Sequence, residues 1–466
     1  GAPCSSADFE AMAEAELVLV LCGDPARTHP LVKTELVQGV RQRGQKLVLA
    51  HALSGGLERH ANLYLPIEPG SEDMLVHGVT ARLLEKSAGS AEGSRETPGF
   101  EEWAASLAQY EPATISTCTG VTVDQVEQLV DMLRQARSVV AVVVTGLGIP
   151  GEEAVTTRAA AALMALLEAQ GAKTGLLVLG EKANVQGVID VGLHPALLPG
   201  HKMAGEAAGW KAKEAFSHAA NEEVGLLHLV GQDPVGAWPL CYNAREAVEG
   251  ADFVVVQDAF LTKTARLADV VLPVRILAER EGTIVGSDGV RRALNCINTT
   301  RMALPQDGQV FLELARRLGS DLPVEGELER ELEALSHWPH GKAAIRRFEK
   351  VGPPIPCPKG SGILLDTSPQ LFHSGSITKR SRLLQELSPT VGVRISPHDA
   401  RELGVKSGET IRLAVEEREL LLRARIDRTV RRGTAVVPWQ SSGGDSAAAL
   451  IAEIGPPLAV SLRRSQ

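Results

Sequence analysis

The chain has 466 residues, 44% of them apolar, with a formal charge of −9 and a mean hydropathy near zero. This length allows about three domains of roughly 150 residues, and the apolar content suffices for a large core. Mixed charges without a basic cluster argue against a nucleic-acid surface. No apolar run approaches the ~18–20 residues that cross a bilayer, so any membrane contact would come through partners.

Six cysteines, Cys4, Cys22, Cys118, Cys241, Cys296 and Cys357, form no CxxC or CxxxC pair. The sequence therefore carries no recognisable iron–sulfur or zinc site, and no metal ligands are assigned. Scattered cysteines in a large chain point to reduced thiols in a cytosol-like compartment. Cys22 reads as a small core residue inside a strand. The opening GAPC has neither an initiator Met nor a signal-peptide pattern, and is read as the start of a fragment or processed chain whose N-terminal part is absent.

Taken in order, residues 9–16 are helical and residues 17–25, LVLVLCGDP, are an apolar strand ending in a turn. A helix over 31–42, stopped at Gly44, leads to a strand over 46–50. HANLYLP follows at 60–66, then a helix over 73–84. Residues 86–99 are small and polar and read as a surface loop. The spacing of Val126, Leu129, Val130 and Leu133 predicts a helix over 122–136 capped by Thr122. A strand over 139–144 precedes Gly146-Leu147-Gly148 and an Ala-rich helix over 152–169. That GxG is a weak anion signal without the third glycine of the dinucleotide fingerprint. Residues 176–205 hold several glycines, two prolines and scattered apolar residues, and read as an irregular, ordered loop.

The stretch 252–273, DFVVVQDAFLTKTARLADVVLP, is the most informative. An apolar strand ends in Gln257, Asp258, Thr262 and Thr264, and a second strand closes on Pro273. Ligands on open α/β sheets bind beyond the carboxyl ends of strands, so these four are candidate ligand residues. The stretch is preceded by LLHLVGQDP at 226–234. Strand, G(Q)DP turn, helix, strand and then ANLYLP or ADVVLP therefore occur twice, with 42 positions from Asp24 to Pro66 and 40 from Asp233 to Pro273. Internal similarity of this kind predicts two equivalent ligand sites facing one another. After Pro273, a Gly- and charge-rich run is expected to form a short hairpin, and a helix is expected over 311–318. Short alternating strands over 391–395, 410–415, 420–426 and 434–437 indicate a small barrel.

The motifs GDPARTHP (23–30), NVQGVIDVG (184–192), LPG (198–200), GQDP (231–234), VVQDAFLTKTARLADVVLP (255–273), AEREGT (278–283), HSGSITKRS (373–381) and SPHDARELGVKSGE (396–409) occur in this order. Together they make the chain resemble the molybdopterin oxidoreductase superfamily, which includes formate dehydrogenases, nitrate reductases and the G subunit of bacterial NADH:quinone oxidoreductase, respiratory complex I. The resemblance implies an α/β fold with two Rossmann-like, doubly wound domains (1–180 and 181–325), a linker (326–360) and a C-terminal β-barrel (361–466). It also implies a bis-pterin dinucleotide. Gly23, Asp24 and Pro25 would line one guanosine site; Gly231, Asp233, Pro234, Gln257, Asp258, Thr262 and Thr264 would line the other. In that reading Asp258 accepts from a guanine edge and the threonine hydroxyls reach phosphate. Gly375, Ser376 and Thr378 would meet the pterin from the barrel side.

The departures from the pattern fall on ligand positions. Where formate dehydrogenases read PLRGQNNVQG, this chain reads VLGEKANVQG, so the arginine falls on Gly180. The usual DPR is His51-Ala52-Leu53, which removes an arginine that would anchor phosphate. The family's iron–sulfur cysteines and metal-ligating residue would precede residue 1. These changes are similar to the complex I branch: a scaffold with a vestigial cofactor site, bound to other redox subunits, cytoplasmic and peripheral on the inner face of the membrane through them. The alternatives are a molybdenum or tungsten enzyme such as a formate dehydrogenase alpha subunit, and a non-catalytic interaction module. Molybdopterin guanine dinucleotide is the expected cofactor if one is retained. No catalytic constellation is read within the chain, and His29, His51, His60, His194 and His201 are expected to be surface or hydrogen-bonded histidines.

Overall fold

The structure is a computed structural model. It describes residues 5–53, 55–86, 95–145, 152–180, 182–238, 240–298, 303–320, 322, 327, 330–331, 347–354, 363–367, 378–387, 392–439, 447–451 and 458–464. Its first unit is a five-stranded parallel sheet of β1 (Leu17–Leu21), β2 (Lys46–Ala50), β3 (Leu63–Leu65), β4 (Ser138–Val144) and β5 (Lys173–Leu179), in the order β3-β2-β1-β4-β5. The strands form because each is an apolar run buried on both faces, as parallel sheets require. Leu17, Leu19 and Leu21 of β1 point into one core layer, with Val48 of β2 and Val139, Ala141 and Val143 of β4. Val18 and Val20 point into the opposite layer, with Leu47, Leu49, Val140 and Val142. Fully burying each such side chain contributes about 1.5–3 kcal/mol.

The helix Val123–Gln135 behaves as its spacing predicts. Thr122 and Gln125 form a reciprocal capping box, and Val126, Leu129, Val130 and Leu133 are all buried. Two helices were not anticipated, Phe100–Leu107 and Pro112–Thr119. They stand apart from the sheet and pack on the helix Glu72–Lys86. The stretch expected to be linker also returns to this unit: Phe348 is buried against Phe100 and Trp103, with the Trp103–Phe348 ring centroids 4.4 Å apart. Residues 87–94 of the expected surface loop lie outside the described residues, as does the Gly146–Gly148 motif.

The second unit repeats half of this plan. β8 (Leu227–Val230), β9 (Val254–Asp258) and β10 (Val270–Pro273) pair in parallel in the order β10-β9-β8, the counterpart of β3-β2-β1. The helices Ala212–Ala220 and Ala244–Gly250 cover one face. Among the described residues this sheet has three strands, so the match to the first unit covers the repeated trio and not a full doubly wound sheet. The loop over 176–205 contains a short helix, Val185–Asp190, and a small hairpin of β6 (Leu197–Leu198) and β7 (Lys202–Met203). The expected hairpin after Pro273 is present as β11 (Gly282–Val285) and β12 (Arg291–Leu294). The helix after it begins four residues earlier than the apolar pattern indicated, as Asp307–Arg317, because Gln306 and Gln309 cap it.

The third unit is a closed six-stranded barrel, β13-β17-β14-β16-β15-β18. Four strands match the sequence reading: β14 (Val393–Ile395), β15 (Thr410–Val415), β16 (Arg418–Ile426) and β17 (Thr434–Val436). The other two, β13 (Ile363–Asp366) and β18 (Leu458–Arg464), close the barrel by pairing with each other and with β17 and β15. The barrel touches both α/β units. Leu53 of the first forms a buried cluster with Val430 and Val436. Cys241 of the second joins the barrel core, and its thiol donates to the Ile451 carbonyl at 3.1 Å. Among the described residues no helix is long and apolar enough to cross a membrane.

Candidate functional site

Both repeated turns sit beyond the carboxyl ends of their first strands, β1 and β8. At the first, Gly23, Asp24 and Pro25 are all buried. One Asp24 oxygen accepts from the Ala26 amide at 2.7 Å; the other accepts from the Gly55 and Leu57 amides at 2.8 and 3.2 Å. The carboxylate thus staples the turn after β1 to the loop after β2. Gly55 is required by the close approach: a Cβ there would lie 2.5 Å from Asp24 Oδ2 and 2.8 Å from Arg27 Cγ.

The second turn uses the same device with different donors. Gly231 adopts a positive φ of 63°, and its amide donates to the Gln257 carbonyl at 2.8 Å. Asp233 and Pro234 are buried. Asp233 Oδ1 accepts from the Thr264 amide at 3.0 Å, the Thr264 hydroxyl at 2.7 Å and the Gly236 amide at 3.2 Å. Thr264 Oγ1 accepts in turn from the Val235 amide at 3.1 Å, and Thr262 Oγ1 accepts from the Ala265 amide at 3.1 Å. Both threonines are fully buried, and these contacts use their hydroxyls to shape the loop after β9.

Gln257 and Asp258 end β9 on the same side. Gln257 is fully buried; its amide nitrogen donates to Asp307 Oδ1 at 2.7 Å, while its Oε1 has no partner. Arg280, from the AEREGT motif, pairs with the same Asp307. Asp258 Oδ1 accepts from the Phe260 amide at 2.9 Å. Burial pushes the Asp258 pKa up, opposed by that amide and reinforced by the nearby Asp233 carboxylate. Thr378 lies in a single turn, Thr378–Arg380, and Arg380 sits over the Phe260 ring, 5.4 Å from its centroid. That contact places this turn, which lies between β13 and β14 of the barrel, against the loop after β9. Gly375 and Ser376 lie outside the described residues.

Three findings were not legible beforehand. Cys22 is not a strand residue: β1 ends at Leu21, and Cys22 takes a left-handed φ of 69° that opens the turn. His51 is neither exposed nor well hydrogen-bonded. It is 1% exposed beside Tyr64, both ring nitrogens lack a well-formed partner, and burial drives its pKa down to about 4. Arg27, two residues past Pro25, carries a buried Nη1 without a hydrogen-bond partner. Only its place inside GDPARTHP could have drawn attention to it.

The other histidines are less unusual. His29 Nε2 meets the Gly180 carbonyl at 3.2 Å, and His201 bonds Asp190 at 2.9 Å. The Gly180 amide donates to Ser287 Oγ at 3.1 Å, which ties the end of β5 to the β11–β12 hairpin. A cleft of about 810 Å³, lined in part by Asp8, Lys173 and Asp288, opens at the opposite, amino-terminal ends of β4 and β5. No residue of either turn lines it. His398, Asp399 and Glu402 lie close together near the barrel, but Asp399 is committed to Ser396 and the Gly433 amide.

Comparison with known proteins agrees with this architecture. The molybdopterin oxidoreductase family model matches residues 1–317, and a molydopterin dinucleotide binding domain model matches residues 365–461. The F420-dependent formate dehydrogenase 2 subunit alpha of Methanococcus maripaludis is 26% identical over 92% of this chain and 72% of its own length. The NADPH-Fe(3+) oxidoreductase subunit alpha of Geobacter sulfurreducens is 26% identical over 94% of this chain and 55% of its own length. Formate dehydrogenase H of Escherichia coli is 28% identical over 65% of this chain and 45% of its own length. The chain thus spans between about half and about three quarters of the length of these relatives. Acetylene hydratase from Pelobacter acetylenicus shares the fold, with a TM-score of 0.71, 17% identity and coverage of 99% of this chain and 79% of its own. These matches support the formate dehydrogenase alternative better than the complex I reading. With a family model covering well over half of its residues, the chain belongs to the molybdopterin oxidoreductase family.

Proposed function

We propose that this chain is the cofactor-holding portion of a large subunit in a molybdopterin-dependent oxidoreductase complex of the formate dehydrogenase alpha type. One observation carries this reading: the same Asp-Pro carboxylate brace stands at the carboxyl end of β1 and of β8, and one barrel packs on both units. Ligands of open α/β sheets sit at this end. The residues also fit a polar, phosphate-bearing group. Gln257 Oε1 and Arg27 Nη1 are buried beside the two turns without partners, and a buried unpaired polar atom signals a missing group.

In this reading Gly23, Asp24 and Pro25 frame one guanosine site. Gly231, Asp233, Pro234, Gln257, Asp258, Thr262 and Thr264 frame the other, and Gly375, Ser376 and Thr378 are the candidates for contact with the pterin. Asp24 and Asp233 act indirectly, since each carboxylate already holds its loop. Asp258 and Gln257 offer acceptor oxygens for a guanine edge. Molybdopterin guanine dinucleotide, when bound, would supply a metal centre able to exchange electrons with substrate and partner. Redox partners would be the other subunits of such a complex, as the relatives' alpha-subunit names suggest.

A second reading retains the scaffold without molybdenum chemistry, as in the complex I branch. It is favoured by Gly180, which presents no guanidinium beside His29. A Cβ there would lie 3.4 Å from Val185 Cβ, so the backbone does not demand glycine. Metal analysis and pterin fluorescence on the full-length protein, purified with its partners, separate the readings. Molybdenum or tungsten with one pterin dinucleotide for each turn supports the first. Absence of both metal and pterin from protein made in a cofactor-competent host supports the second.

A further inference from the structure

The first turn carries a guanidinium with one buried nitrogen left unpartnered. Arg27 lies between the loop after β2, where its Cγ would abut a Cβ at Gly55, and the barrel residues Asp366, Arg394 and Asp427. Among the described residues its Nη1 is buried and bonds to nothing. Two of the neighbouring carboxylates, Asp24 and Asp427, are committed elsewhere. Asp24 holds three backbone amides, and Asp427 pairs with Arg394 at 2.9 Å while accepting from Thr429. Burial and the Arg394 charge push the Arg27 pKa down to about 10, so the surrounding acids do not compensate for lost water. His51 is held neutral nearby. Three residues on, the 13-residue helix Pro30–Gln42 starts with no side-chain cap, leaving its first-turn amides facing the same end of the sheet. Leu53, which stands where the family resemblance implies an arginine after β2, is packed into the barrel.

We propose that Arg27 anchors a phosphate of a nucleoside diphosphate at the first turn, supplying from β1's loop the guanidinium that the loop after β2 lacks. A planar guanidinium suits bidentate phosphate contacts, and a phosphate at the seam would satisfy Nη1. This inference rests on the proposed function, because the nucleotide in question would be the guanosine end of the pterin cofactor.

The test uses the full-length protein in two measurements. The first is GMP released by acid hydrolysis of the purified holoprotein. Arg27→Gln should lose about half of the GMP, since only one of two turns is disabled, and Arg27→Lys should retain most of it. The second is GDP binding to the cofactor-stripped protein by calorimetry. Arg27→Gln should weaken the first-turn site by roughly ten- to hundredfold, and raised salt should weaken the wild type more than the variant. Unchanged GMP content and GDP affinity, with only a lower melting temperature, would make Arg27 a brace between sheet and barrel and overturn the proposal. Should Arg27→Gln fail to fold, the neutral Arg27→Met decides: weaker GDP binding supports the anchor, and unaltered binding rejects it. If the wild type yields no GMP, the functional reading falls by itself, and the GDP titrations still judge Arg27.

Discussion

The two repeated turns perform one structural task in unequal settings. Asp24 satisfies three backbone amides and sits against a five-stranded sheet with helices on both faces. Asp233 satisfies two amides and a hydroxyl, and sits against a three-stranded sheet whose β8 is only half-buried. What recurs is the carboxylate clamp between the first and second loops, and what differs is the donor set and the burial around it. The geometry of a ligand cradle can therefore be held by a brace that never touches the ligand.

The comparison breaks first at the braces. Asp24→Ala and Asp233→Ala each strand three buried or half-buried donors, and each should cost about 3–4 kcal/mol, measured by urea denaturation with probes in each unit. A cost below about 1 kcal/mol at either turn would end their equivalence. Acid should separate the units next. His77 is buried against Tyr110 with its pKa pushed down to about 4 by burial. Its folded pKa lies below the unfolded value of ~6.5, so the unfolded chain binds more protons between the two. Stability is full above about pH 6.5 and is lost as pH falls towards 4, by roughly 2 kcal/mol at pH 5. His77→Leu should flatten that part of the first unit's pH profile in hydrogen exchange. An unaltered profile would assign the acid response elsewhere, His51 being the next candidate. A smaller effect is expected where barrel meets sheet. Leu53→Ala removes apolar contact with Val430 and Val436 and should cost about 2 kcal/mol, loosening the barrel's protection without altering the second unit.

How much of this could be read from residues depends on the range of the interactions. The strands β1, β2, β4, β9 and β15 were legible because each is a local apolar run or alternation. The Thr122 cap was legible because its partner, Gln125, lies three residues away. The turns were legible because they occur twice. The end of β1 was misjudged, since Cys22 continues the apolar run while its backbone turns left-handed. β13 and β18 escaped because they are strands only through pairing with each other across nearly a hundred residues. The unsatisfied state of Arg27 was invisible for the same reason: the barrel residues around it lie more than three hundred positions away.

The smallest expected effect is the sharpest discriminator, because the two turns should answer it with opposite signs. Asp258 is 6% exposed, and its pKa is raised chiefly by burial. With the folded value above the unfolded one, the ionised form is penalised in the fold. That penalty is absent below the ordinary carboxylate range and complete above the raised value. Asp258→Asn keeps an oxygen for the Phe260 amide and removes the charge, so at pH 7 it should raise the melting temperature by about 1–3 °C, a gain that vanishes as pH falls through the raised pKa. Asp24→Asn should instead lower it, because an Asn amide group would face the Gly55 and Leu57 donors with one of its own. If Asp258 also reads a guanine edge, the stabilised Asp258→Asn protein should yield less GMP than the wild type. A stabilised protein with its full GMP content would show that Asp258 shapes the loop and does not touch the base.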